Sequence, residues 1–290
     1  MDVDTLAVMF KALAYAALLQ GAGVAAFLSV FGAHLRASIR LIRSFGIAMG
    51  GLGLAAVLIC YALEAGRMTG EVAGVMDYAT QLRLAHLPFA SVTSLRILGG
   101  VMLLIGLVWR AGEGTVLALI GAVVVTATFL LVGHSVSHQP RWAIVVLLQL
   151  HLMVAAFWVG SIVPLIVVAR REPALHAHHV VERFSAMATV LVPAMAIAGM
   201  LMGWLLIGGH FTLRDPYTAM LTGKITLFIV ALLLAALNRM RLGPALRAGT
   251  TLAVRRFSMS LAAELVILLA VVGLTATLTS LFSPPMLSAP

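Results

Sequence analysis

The string GHSVSHQPRWAIVVLLQLH, residues 133–151, sets three histidines beside and inside an apolar run. His134 and His138 are four apart, so they share a helix face if the helix continues that far. His151 lies ten residues beyond Arg141, inside the next apolar segment. An imidazole in hydrocarbon is costly and needs a partner or a task. At 1.5 Å per residue, His151 is expected about 14 Å below the outer end of its helix, near mid-bilayer. Ala155 and Trp158 continue its face. The stretch reads as an outer entrance with two imidazoles and a deeper third one below. His86 and His210 are further outer-side candidates, and Met153, Met195, Met200 and Met202 add soft thioethers. Imidazole and thioether without a cysteine cluster suit copper, with Cu(I) favoured where thioethers join. Blander readings stand beside this one. His134 and His138 could be wet interfacial residues, and His151 could bond a carbonyl or hydroxyl of a neighbouring helix. The methionines could be adaptable core filler. HAHH at 176–179 reads as a solvated loop.

The elements that must position these residues are helices in a membrane. Of 290 residues, 62% are hydrophobic and only 10% charged, and the mean hydropathy is +1.10. A soluble domain could not hide so much apolar surface. The expected fold is an all-α polytopic membrane helix bundle, residues 1–290 forming one integral membrane domain. Runs of roughly 20 apolar residues place eight transmembrane helices at about 6–31, 44–63, 89–109, 115–134, 142–169, 185–207, 218–237 and 258–282. The single cysteine, Cys60, excludes disulfides within the chain and thiolate metal clusters. The opening MDVDTLAVMF has no basic n-region, which argues against a cleaved signal peptide.

Arginines set the expected orientation. Arg36, Arg40, Arg43, Arg110, Arg170, Arg171, Arg183, Arg239, Arg241, Arg247, Arg255 and Arg256 fall in the loops after the first, third, fifth and seventh helices. The opposite side has Arg67, Arg83, Arg141 and Arg214. Both termini are therefore expected outside, in the periplasm of a bacterial inner membrane. The net charge of +9 is this loop excess; it needs no nucleic acid, and the surrounding partner is membrane lipid.

The string VAAF occurs at 24–27 and again at 154–157, and SVTSLRIL (91–98) parallels AMLTGKIT (219–226), pairing Arg96 with Lys224. The chain reads as two parallel four-helix repeats, 1–138 and 139–290, an arrangement that often places a site between halves. Aligning the VAAF strings sets His151 opposite Gly21 and Trp158 opposite Leu28. The second half gained the chemistry. Arg96 and Lys224 resist a copper reading, since a buried cation repels a metal ion. Glu64 and Glu71 are the outer-side carboxylates that could neutralise them; otherwise they hold an anionic group, such as a haem propionate or a quinone oxygen. Glu264 is placed one to two turns inside the last helix, where it could pair with Arg255, Arg256 or Arg239 or serve in charge coupling.

LHLMVAAFWVGSIVPL (150–165), RFSAMATVLV (183–192), GKITLFIVALLLAALNRMRLGPAL (223–246) and AAELVILLAVVGLTATLTS (262–280) resemble the copper resistance protein D family of bacterial inner-membrane proteins. The resemblance covers most of 90–282. Its specific pieces are the histidine separated by six residues from Trp-Val-Gly, the Arg-Phe-Ser helix start, the buried lysine, Asn238-Arg239 and Glu264. Ser161 stands where the family usually has a second glycine, which loosens helix packing slightly. The resemblance implies copper handling from periplasm toward cytoplasm, beside a separate small periplasmic copper-carrier protein. The family also resembles, distantly, proteins that bind haem b through histidine. The leading expectation is a copper transport or delivery protein using His134, His138 and His151. The alternative is a b-haem or quinone-linked oxidoreductase, with Lys224 and Arg96 on propionates.

Overall fold

The computed structural model describes residues 2–109, 112–131, 141–207 and 216–281. It is 94% helical and contains no strand among the described residues. The helices are α1 (Val3–Phe31), α2 (Ile39–Thr69), α3 (Tyr78–Ala85), α4 (Pro88–Val108), α5 (Gly112–Ala127), α6 (Arg141–Arg171), α7 (Ala174–Ile207), α8 (Pro216–Leu237), the single turn α9 (Gly243–Ala245) and α10 (Thr251–Leu281). Eight are long and apolar enough to cross a membrane. The expected helices are all present, but several run past their apolar cores. α7 begins at Ala174 and α10 at Thr251, eleven and seven residues earlier than hydropathy placed them. The early turns carry histidines and arginines, which end an apolar run but do not end a helix.

Local chemistry fixes the ends. The Asp2 carboxylate accepts from the Thr5 N–H at 2.7 Å and caps α1. Asp77 caps α3 in the same way, and Pro88 opens α4 at a position that needs no N–H. α2 stops at Gly70, which takes φ 79°, a left-handed conformation that glycine adopts freely.

α2 has a more unusual cap. Glu172, at the turn between α6 and α7, accepts with one carboxylate oxygen from the N–H groups of Arg36, Ala37 and Ser38, each at 3.0 Å, and from the Ser38 hydroxyl at 2.5 Å. A carboxylate from one half of the chain thus satisfies the helix start of the other. His176 adds a second tie, its Nε2–H donating to the His34 carbonyl at 2.6 Å. Arg43 reaches the Leu107 and Trp109 carbonyls and closes α2 onto α4. At the other end of the bundle, Lys11 of α1 donates to the Thr279 carbonyl and the Ser280 hydroxyl of α10.

The centre is the crossing of α1 and α6. A Cβ added at Gly23 would sit 1.8 Å from the Ala156 carbonyl oxygen, and one at Gly160 would sit 2.5 Å from Gly23 Cα. Only hydrogen fits between these backbones. Small residues at such a crossing let dispersion act over a long contact, the main attraction between helices in lipid. Phe27, Phe31, Ile162 and Leu165 then fill the flanks and are fully buried. Ser161 does not loosen the crossing: it is buried, and its hydroxyl donates to the Phe157 carbonyl of its own helix at 2.6 Å. Around this axis α1 packs on α2, α5 and α10, while α6 packs on α7 and α10. α4 packs on α2 and α5, and α8 packs on α10.

Gly23→Val and Gly160→Val should each cost about 3 kcal/mol or more, because the backbone must move apart. Gly51→Ala and Gly273→Ala, where nothing lies within 4 Å, should not destabilise. Thermal unfolding in detergent reads both, and equal midpoints across the four would refute the crossing as the structural centre. The Glu172 cap adds a pH signature. Burial alone would raise the Glu172 pKa, but the Ser38 hydroxyl and three backbone donors outweigh it and hold the carboxyl below its ordinary value. Its stabilisation is therefore present above the ordinary carboxylate range and lost as pH falls through the depressed value. Glu172→Gln should lower the midpoint at neutral pH, with the gap closing in acid; a pH-independent gap would contradict the cap.

Candidate functional site

His151 sits in the first half of α6 and turns toward α7. Its Nδ1–H donates to the Met195 carbonyl at 3.1 Å. A Cβ at Gly199 would lie 3.1 Å from the imidazole, so the glycine one turn on gives the ring its seat. With Nδ1 donating, Nε2 keeps its lone pair. This is the arrangement by which a backbone carbonyl orients a metal-binding histidine, and equally the bland one of a satisfied histidine. Lys224 of α8 lies within electrostatic reach of this ring. It is partly buried and has no hydrogen bond or ion pair among the described residues.

The other candidates do not gather here. His134, His138 and His210 lie outside the described residues. His86 is exposed at the end of α3. Met153, two residues from His151, faces the other way, where its sulfur accepts from the Thr126 hydroxyl of α5 at 3.3 Å. Met200 is 64% exposed on α7. Among the described residues no three His, Cys, Asp or Glu side chains form a group able to hold a metal ion.

Arg96 is held without a carboxylate. Its Nε donates to the Thr128 hydroxyl at 2.8 Å, its guanidinium lies 4.7 Å from the centre of the Phe129 ring, and Nη2 is buried without a partner. Glu64 does not neutralise it. That carboxylate is taken by Arg67 one turn along α2, at 3.2 Å, and Arg67 also reaches Asp4 at 2.8 Å. A same-face partner one turn away on its own helix is met more readily than one across the bundle.

A second polar centre lies deeper. Glu264 of α10 is 2% exposed; one carboxylate oxygen accepts from the Trp158 indole N–H at 2.7 Å, the other from the Asn238 amide at 2.8 Å. Because α10 starts at Thr251, Glu264 is about 20 Å along it, well beyond the expected one to two turns. Its partners are neutral, contrary to the expected arginines. Arg239 instead donates to the Ser185 carbonyl at 2.6 Å and to the Thr189 hydroxyl. Arg255 and Arg256 are exposed at the start of α10. Asn238 opens a π-helical turn, Asn238–Leu242, a geometry that recurs at functional sites. Beside the triad is a cavity of about 220 Å³, lined by residues of α7 and the end of α8 together with Trp158 and Glu264.

Residues 178–278 match the copper resistance protein D family. The match covers about a third of the chain. No curated protein and no solved structure matches the chain. The region contains Lys224, Asn238 and Glu264, while His151 and Trp158 precede it on α6 and reach into it through Met195 and Glu264.

The matched region also begins inside the HAHH string, which is helical, not a solvated loop. His178 is 4% exposed; its Nδ1–H donates to the Gly243 carbonyl at 3.2 Å and its Nε2 accepts from Arg247 at 2.7 Å. An imidazole accepting at Nε2 and donating at Nδ1 is neutral, so Glu182 at 3.5 Å is a neighbour and not its counter-ion. The histidine clamps the turn after α8 to α7. Trp158 was legible on the His151 face and Glu264 as a carboxylate inside the last helix, but Asn238 as their link was not. The available signal was an amide at the end of an apolar span. His178→Ala should cost about 1–3 kcal/mol by leaving buried partners unpaired. His179→Ala, at an exposed position, should cost nothing measurable. Matched thermal melts decide it, and equal loss from both would return the string to a compositional role.

Proposed function

We propose that the chain moves copper through the bacterial inner membrane from periplasm to cytoplasm, with His151 as the deep ligand of the moving ion. The carrying observation is the Nδ1–H bond to the Met195 carbonyl, which orients the ring and leaves Nε2 free to bind. The match to copper resistance protein D supports copper as the cargo, and the eight long apolar helices support a membrane as the barrier. Copper here is substrate and passes through. His134 and His138 are the proposed outer ligands, ahead of His151 along the chain. Both termini face the periplasm, where a separate small copper carrier delivers the ion.

Lys224 fits transit better than storage. A cation near His151 feels the ammonium within electrostatic reach, so it is held weakly. Conduction needs binding weak enough to release. Haem b finds no support among the described residues, where the other histidines lie at helix ends: His34 after α1, His86 after α3, and His176, His178 and His179 at the start of α7.

At matched expression, His151→Ala should cut cellular copper accumulation to near the empty-vector level without reducing protein in the membrane. Deleting an imidazole from hydrocarbon does not impair a span. His134→Ala should reduce accumulation partially. Full accumulation by His151→Ala would overturn the assignment.

A further inference from the structure

Glu264 presents a problem that the copper pathway does not solve. A carboxylate 2% exposed, roughly midway along a spanning helix, has no ion pair among the described residues. Ionised, it would be an uncompensated charge in a medium that penalises one heavily. Protonated, it would be a neutral acid needing an acceptor for its new O–H. The surroundings provide for both states.

The groups facing it can be taken helix by helix. From α6 comes the Trp158 indole, a donor only. From the π-helical turn comes Asn238, whose Nδ2 donates to the carboxylate and whose Oδ1 is buried with no partner. The cavity wall on α7 carries Ser185, Thr189 and Pro193 but no titratable group. Among the described residues, Arg239 is the one charged side chain besides Glu264 on the cavity wall, and its guanidinium is committed to α7. α1 also packs on α10, but its Lys11 is tied to Thr279 and Ser280 at the far end of that helix.

We propose that Glu264 is a proton-binding site, loaded through the cavity between α7 and α8, with the Asn238 amide turning to serve either charge state. In the ionised state Trp158 and Asn238 donate one hydrogen bond to each oxygen. A hydronium ion in the cavity gives one proton to the oxygen facing Asn238 and leaves as water. The carboxyl is then a neutral acid. Its O–H donates to Asn238 Oδ1 after the amide rotates by half a turn, an exchange of two nearly equivalent ends. The Trp158 N–H continues to donate to the other oxygen, now a carbonyl. No hydrogen bond is lost in either direction, and the partnerless Oδ1 is the acceptor held ready for the proton. Pro193, which has no N–H, leaves the Thr189 carbonyl without its helical donor at the cavity wall. The lining thus favours water and a donated proton over a metal ion, for which three oxygen ligands do not converge. The site stands independently of what moves past His151.

The test is pH-difference infrared spectroscopy on the full chain in detergent. Wild type should gain a protonated-carboxyl carbonyl band on acidification. That band should be missing in Glu264→Gln, which keeps an acceptor for Trp158 and a donor for Asn238 and so should fold. In Trp158→Phe it should persist at higher frequency, because the carbonyl loses its donor. Transfer to heavy water should shift the band promptly in wild type, through the open cavity. A difference spectrum unchanged by Glu264→Gln would overturn the proposal, as would a wild-type protein in which no such band titrates. Should Glu264→Gln fail to fold, the Trp158→Phe frequency shift alone decides, and its absence overturns the assignment.

Discussion

Gly23 and Gly160 hold α1 and α6 so close that a methyl group on either would overlap the other backbone. This contact fixes more than two helices. α6 carries both His151 and Trp158, and with one face pressed on α1 it must present the others to α7 and α10. The imidazole then meets α7 at Met195, and the indole meets Glu264 on α10. Lipid gives no hydrophobic reward for joining helices, so an assembly of this kind depends on close dispersion contact and on polar groups that find each other. The glycines provide the first, and the triad beside them provides the second.

Three ionisable groups inside the bundle meet neutral partners. Glu264 has an indole and an amide, Arg96 has a hydroxyl and an aromatic face, and Lys11 has a carbonyl and a hydroxyl. Ion pairs appear near the ends, as with Arg67, Asp4 and Glu64. A buried ion pair locks two charges in place and is costly to separate. Neutral partners leave such a group free to change its proton without breaking an ion pair.

How much of this was legible in the sequence follows the physics of each signal. Apolar runs report burial in lipid, so the eight spans were readable to within a few residues at most ends. They do not report where a helix stops once it leaves lipid. That is why TLAVRRF and HAHH, both helical, fell outside the expected spans, and why Glu264 was placed too near an end. Trp158 was read on the His151 face and Glu264 as a carboxylate inside the last helix, yet their pairing joins α6 to α10 across a hundred residues and leaves no local pattern. His151 was legible, and so was its carbonyl partner as a type, but not the identity of Met195. Met153 shares the histidine's neighbourhood in sequence and not in space, because two residues along a helix point to different sides. The VAAF strings marked the two helices that cross at the centre, though the glycines beside them carry the contact.

We propose that His151 binds copper as a passing substrate. This is tested most directly by measuring metal content and the visible spectrum on one purified sample of wild type beside His151→Ala. Copper presented to the protein should be retained by wild type above the His151→Ala level, with no Soret band in either. A Soret band with stoichiometric iron, or equal copper in the two proteins, would contradict it.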